Sequence, residues 1–111
     1  MSRIVAVGIS HKTAPVEQRE KIALTDATTR TLVHQLVRHP DIAEAVVIST
    51  CNRTEAYVHA LDASAAEEAI CEALVENSTM TRSEFDCARY ALVDDRAVAH
   101  LLRVSSSLDS M

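Results

Sequence analysis

The stretch AEAVVISTCNRTEAYVHAL, residues 43–61, decides the fold. Two strand-like runs, AEAVVIST and TEAYVHAL, flank Cys51, Asn52 and Arg53. In the second run Thr54, Ala56, Val58 and Ala60 alternate with Glu55, Tyr57, His59 and Leu61, the two-residue period of a strand. The link is short and asparagine tolerates a positive φ, which predicts a tight hairpin turn around Cys51-Asn52. A thiol, an amide and a guanidinium then share one hairpin tip.

Working outward, RIVAVGI (3–9) reads as a buried strand closed by Gly8, the only glycine. SHKTAPVEQREKIA (10–23) is a polar connection containing Pro15. LTDATTRTLVHQLVRHP predicts a helix with Thr25 as N-cap and Asp26 in its first turn. Leu32, Val33, Leu36 and Val37 share one of its faces, Arg38 and His39 suit its C-terminal end, and Pro40 stops it. DASAAEEAICEALVEN (62–77) predicts a second helix, with Ser64 and Glu67 as a capping box and Ala69, Ile70, Ala73 and Leu74 as the apolar face. A polar connection holding TRSEF leads to a fourth strand, CARYALV (87–93). DDRAVAHLLRVSSSLDSM (94–111) predicts a third helix, capped by Asp94 or Asp95, with Val98, Leu101, Leu102, Ser105 and Leu108 on its main buried stripe.

The order β-α-β-β-α-β plus a C-terminal helix is an α+β, ferredoxin-like split β-α-β pattern. Right-handed crossovers give a four-stranded antiparallel sheet with helices packed on one face. The first two strands run parallel with the third between them, so GISHK and STCNR meet at one edge. The last helix starts at the opposite edge. About fifteen helical residues cover roughly 22 Å, enough to return to the cysteine edge. His100 is about 200° around the helix from Val98, off the stripe and towards the site.

Composition bounds the function. With 111 residues, 48% of them hydrophobic, the chain makes one domain with a real core. A net charge of −5 without a basic cluster excludes an autonomous nucleic-acid-binding surface, so any RNA contact is local or assisted. No long apolar run and no signal peptide are visible, so a cytoplasmic address and no membrane contact are expected. The three cysteines are not in C-x-x-C spacing, and no histidines form an H-x-x-x-H pair, so neither a disulfide framework nor a metal site is expected. Cys71 and Cys87 read as core residues, and Tyr57 and Tyr90 as packing residues with wet hydroxyls.

At the tip, a thiolate is the nucleophilic form of cysteine, and nearby positive charge favours it. Arg53 supplies that charge or binds a carboxylate in bidentate fashion. Thr50 and Asn52 donate to a developing oxyanion or to substrate, and His100 suits a general base or acid. Each also has a plain structural explanation. A cysteine at a strand end is commonly a small buried hydrophobe, an arginine a solvated or salt-bridged side chain, and an asparagine a turn former.

The segments VGISHKTAPVEQREKIA, STCNRTEAY and HLLRVSSSLDSM, in this order and spacing, resemble the N-terminal catalytic domain of the glutamyl-tRNA reductase family. The resemblance covers almost the whole chain. It implies NADPH-dependent reduction of glutamyl-tRNA to glutamate-1-semialdehyde, the first step of tetrapyrrole synthesis by the five-carbon route. It further implies Cys51 as the nucleophile forming a glutamyl thioester, His100 as important for activity, and Thr50, Asn52, Arg53 and Ser110 as substrate-binding residues. By charge, Arg53 is the residue for the glutamate carboxylate.

Two departures stand out. Ser105 and Ser107 replace the alanine and glycine usual in the family, and Ser105 on an apolar stripe needs a partner such as a backbone carbonyl. There is also no G-x-G-x-x-G. Residues 1–111 therefore read as the catalytic domain alone, with the NADPH-binding and dimerisation domains absent. The resemblance implies a homodimer of the full enzyme through that missing region, with handover to the downstream aminomutase. The alternatives are a ferredoxin-like binding or regulatory module without chemistry, or a thiol-redox switch at Cys51, which lacks a resolving cysteine nearby.

Overall fold

The computed structural model describes residues 2–106. Ser110, Ser107 and Leu108 lie outside the described residues. The chain runs β1 (Arg3–Ser10), α1 (Val16–Ile22), α2 (Asp26–Val37), β2 (Ile42–Ser49), β3 (Arg53–Ala60), α3 (Ala63–Glu76), α4 (Arg82–Ala88), β4 (Tyr90–Val93) and α5 (Asp95–Ser105). One sheet of four strands in the order β2-β3-β1-β4 holds it together, with each neighbouring pair antiparallel. β1 and β2 are therefore parallel with β3 between them. The expected split β-α-β topology is present.

Alternation divides the sheet into two faces. Val5, Val7 and Ile9 of β1, with Ala56 and Val58 of β3, pack against Leu32 and Leu36 of α2 and Ile70 and Leu74 of α3. This is the main core, and Cys71 is buried in it as expected. The other face carries a smaller cluster of Ala6, Tyr57 and Ala97, with Ile4, Leu92 and Leu101 beside it. α5 covers that second face, so the sheet lies between two layers of helix.

Several local expectations are corrected. The connection 10–23 contains α1, which starts after Pro15 and buries only Ile22. One buried residue in seven gives no periodicity to read. TRSEF does not belong to a connection: Thr81 and Glu84 form a true capping box that opens α4. The helix takes Cys87, so β4 begins at Tyr90 rather than at residue 87. Phe85 and Ala88 face inward and Cys87 is exposed, not in the core. α3 is capped by Asp62, which accepts from Ala65 N at 3.1 Å, rather than by Ser64 with Glu67.

The stripe of α5 also differs. Ala97 and Val104 are its buried residues, while Val98 and Leu102 are 44% and 64% exposed. The helix crosses the sheet at Ala6 and Tyr57, where a small residue permits close approach and a leucine does not. Ser105 is exposed, and its hydroxyl donates to Leu101 O at 2.8 Å. Asp94, before α5, holds φ at 54°, in the left-handed region. Its carboxylate caps no helix N–H. It accepts from Ile4 N at 3.1 Å and from Arg3 Nε at 2.8 Å, latching the helix start to β1.

Candidate active site

Cys51 and Asn52 form the tip of the β2–β3 hairpin. The turn closes through Thr50 N to Arg53 O at 2.7 Å and Arg53 N to Thr50 O at 3.4 Å. Among the described residues only Asp94 has a positive φ, so Asn52 is not there to reach the left-handed region. Its N–H donates instead to Thr50 Oγ1 at 3.2 Å, a side-chain-stabilised turn. Cys51 is exposed. The expected meeting of the two loops at this edge occurs: His11 N donates to Asn52 O at 2.8 Å.

Arg53 begins β3, and its side chain enters the face covered by α5. It is 1% exposed, and Glu55, two residues on along the same face, is 0% exposed. Arg53 Nη1 meets Glu55 Oε2 at 2.9 Å. Three further groups converge on that carboxylate. Tyr57 Oη donates to Oε1 at 2.9 Å, the Tyr90 hydroxyl donates to Oε2, and His100 Nε2 lies 2.5 Å from Oε2. The buried guanidinium and carboxylate compensate each other, whereas either charge alone would be costly there. Burial, with the Glu55 charge beside it, pushes Tyr57 ionisation far up, so this hydroxyl stays a donor.

The only glycine makes the arrangement possible. Gly8 faces Glu55 across β1 and β3. A Cβ there would lie 2.4 Å from Thr54 O and 2.9 Å from Glu55 Cγ. Glycine lets backbone and buried carboxylate come together where any side chain would collide.

His100 reaches the site, as expected, but from the buried side of α5. Its side chain is 12% exposed. Arg103 Nη2 lies 3.2 Å from His100 Nδ1. Nε2 faces the Glu55 carboxylate, and Arg53 Nη1 lies 3.3 Å from the same nitrogen. Both ring nitrogens therefore have protein partners. The Tyr90 ring packs edge-on against His100 with centroids 5.4 Å apart.

Beside this network is a cavity of about 210 Å³ lined by Ser10, Lys12, Thr13, Arg53, His100 and Arg103, among others. Arg53 belongs to both the cysteine turn and the cavity wall. Lys12 and Arg103 add cationic side chains to its wall, while the charge of Arg53 is balanced by Glu55. Thr50 is exposed on the turn and Asn52 is half-buried. The sequence reading missed Glu55, Tyr57 and Tyr90. The signal for the first two was their spacing, two and four residues after Arg53 on one strand face. Among the described residues no cluster of three or more His, Cys, Asp or Glu could hold a metal. No helix among them is long and apolar enough to cross a membrane.

Fold and site together define an α+β domain with an exposed thiol on a hairpin turn and a cavity that the turn's Arg53, though not Cys51 itself, helps to line. The profile of the family described as glutamyl-tRNAGlu reductase, N-terminal domain, matches residues 7–111. The chain belongs to this family. It is 40% identical to the glutamyl-tRNA reductases of Carboxydothermus hydrogenoformans and Geotalea uraniireducens, each over 97% of this chain. It spans only 24% and 25% of their lengths, about a quarter. The solved glutamyl-tRNA reductase of Methanopyrus kandleri superposes with a TM-score of 0.65 at 30% identity, over 97% of this chain and 23% of that one.

Proposed function

We propose that this chain is the catalytic domain of an enzyme that reduces glutamyl-tRNA to glutamate-1-semialdehyde with NADPH, opening tetrapyrrole synthesis in the cytoplasm. The observation that carries the reading is the exposed thiol of Cys51 two residues from Arg53, which walls a cavity lined by three cations. The Cys51 thiolate attacks the ester carbonyl between glutamate and the tRNA 3′ end. A C–S bond forms, the C–O bond breaks, and the proton released by the thiol ends on the departing 3′ oxygen. Splitting the reduction through a thioester gives a better hydride acceptor than an oxygen ester.

Arg53 orients the glutamyl group through its carboxylate, and Glu55 holds the guanidinium in place before substrate arrives. Thr50 and Asn52 donate to the substrate or to the oxyanion, and Ser110 completes the substrate site. His100 acts within the same network. Its ring, held between Glu55 and Arg103, keeps the cavity wall rigid and supplies a proton carrier next to it.

The residues present do not fit NADPH. Its phosphates need a glycine-rich turn, and the single glycine here lies inside β1 against Thr54 O. The cofactor therefore belongs to another part of the enzyme, as do homodimer contacts and any handover to the downstream aminomutase. Incubating glutamyl-tRNA with the full-length protein without NADPH tests the reading. A glutamyl thioester on Cys51 by mass spectrometry, lost in Cys51→Ser, is the expected result. Full reductase activity in Cys51→Ser would favour a non-catalytic module instead.

A further inference from the structure

The segment HKTAPVEQREK, residues 11–21, enters that mechanism only through Lys12 and Thr13 on the cavity wall, yet it is also tied to the cysteine turn. Arg19, on α1, places its guanidinium between two backbone carbonyls. Nε donates to Cys51 O at 3.2 Å and Nη1 donates to Ala14 O at 2.8 Å. The loop it braces is itself tightly bonded. Ser10 N donates to Thr13 Oγ1 at 3.0 Å, Lys12 N to Ser10 Oγ at 3.2 Å, and Ala14 N to Ser10 O at 2.9 Å. His11 N then reaches Asn52 O at 2.8 Å. Two carbonyls of the hairpin tip, on adjacent residues, are thus held from the same rigid loop and helix.

We infer that Arg19 is a positioning residue for Cys51, fixing the peptide after the cysteine and so the direction of its thiol. The inference rests on the reading of Cys51 as the nucleophile. The hairpin closes through Thr50 and Arg53, and within it the Asn52 N–H donates to Thr50 Oγ1, so what Arg19 adds from outside the turn is a hold on the carbonyl side of the peptide between Cys51 and Asn52. Rocking that peptide swings the Cα–Cβ bond and carries Sγ with it. Arg19 holds the carbonyl of this peptide, and His11 holds the carbonyl of the next one, Asn52 O. Arginine suits the task because its planar fork reaches two carbonyls at once, while a lysine ammonium is a single point on a flexible stem. A displacement of about 1 Å at a reacting atom costs up to about 100-fold in rate. Iodoacetamide, by contrast, reaches an exposed thiol from any direction. Aim therefore matters for acyl transfer and little for alkylation.

The test uses the full-length protein with Arg19→Met and Arg19→Lys. Three readouts are taken: single-turnover thioester formation from glutamyl-tRNA without NADPH, iodoacetamide labelling of each cysteine, and amide hydrogen exchange. Both variants are expected to acylate at least about tenfold more slowly. Cys51 labelling should change by less than about twofold, because no aim is needed. Buried Cys71 should stay protected, reporting an intact fold, and exposed Cys87 serves as the control. Exchange should rise at His11 and Arg53 and not in the α3 core.

Wild-type acylation by Arg19→Lys would overturn the inference in favour of a simple charge effect, and wild-type acylation by Arg19→Met would remove any role. Slow acylation with unchanged exchange would also overturn it. If wild type forms no thioester, the nucleophile reading falls, and exchange alone decides the bracing: faster exchange in Arg19→Met keeps it, and unchanged exchange ends it.

Discussion

Replacing Glu55 by glutamine removes one charge and turns one of its two acceptor oxygens into an amide donor. Glutamine keeps an acceptor for the Tyr57 hydroxyl and nearly the same volume. What it cannot do is neutralise Arg53, whose side chain is 1% exposed and 2.9 Å from the carboxylate. Stranding one member of a buried ion pair costs about 3–5 kcal/mol. The whole domain is stable by something on the order of 5–15 kcal/mol, so Glu55→Gln should remove about a fifth of it or more. Urea unfolding followed by circular dichroism, with an unchanged slope, reads this directly. Arg53→Met/Glu55→Gln removes both charges and should recover most of the loss, because desolvating the pair is itself expensive. A loss below about 1 kcal/mol in Glu55→Gln, or a double variant as unstable as the sum of its parts, would refute the view that the pair is held by mutual charge compensation.

Three further outcomes are expected. Gly8→Ala should destabilise by about 1–3 kcal/mol or more, since its Cβ meets the Thr54 carbonyl oxygen at 2.4 Å, backbone that cannot swing aside; a melting temperature equal to wild type would show that the strands part freely. Iodoacetamide should label Cys51 faster than Cys87, and Cys71 last because burial pushes its thiol up; labelling at Cys51 no faster than at Cys87 would count against an activated thiol. Stability should fall as pH drops from about 5 to about 2. The Lys21 ammonium holds Glu84 down at about 2, Arg82 lowers Glu68 and Asp86, and the Ile4 N–H with Arg3 lowers Asp94. Each folded carboxylate sits below its unfolded value, so its contribution is present at neutral pH and lost on acidification. Arg82→Met should flatten that slope in acid titrations followed by circular dichroism, and an unchanged slope would exclude the Arg82 pairs as its source.

The parts of the fold that sequence could reach were those with a strong period or a fixed chemical signature. The alternation in β3, the Thr25 cap of α2 and the apolar face of α3 all gave their elements directly, and chain order then set the topology. The failures share a cause. α1 and α4 are seven residues each, too short for a 3.6-residue period to emerge from one or two buried positions. Reading most of α4 as a connection and its end as strand carried Cys87 into the core, although the capping box at Thr81 and Glu84 was there to be read. On α5 the larger side chains suggested the wrong stripe. Which face a helix buries depends on how closely it approaches its neighbour, and Ala97 against Ala6 permits a contact that Leu102 does not.

The site divides in the same way. Cys51, Thr50, Asn52 and Arg53 are adjacent in sequence, so one hairpin turn brings them together whatever the rest of the chain does. Local bonding and a short link are enough to specify that turn. The groups gathered around Arg53 and Glu55 come from two strands and a helix. Glu55 and Tyr57 lie on β3, Tyr90 on β4 and His100 on α5, and they meet because the sheet places β4 next to β1 and α5 folds back across the second face. Nothing in the local sequence shows that a glutamate in an alternating strand faces protein rather than water. That follows from the helix above it, and from a glycine on the neighbouring strand that leaves room for its carboxylate. The sequence by itself determined the thiol and the cation beside it; tertiary packing decided that the cation is buried, paired and held in one orientation.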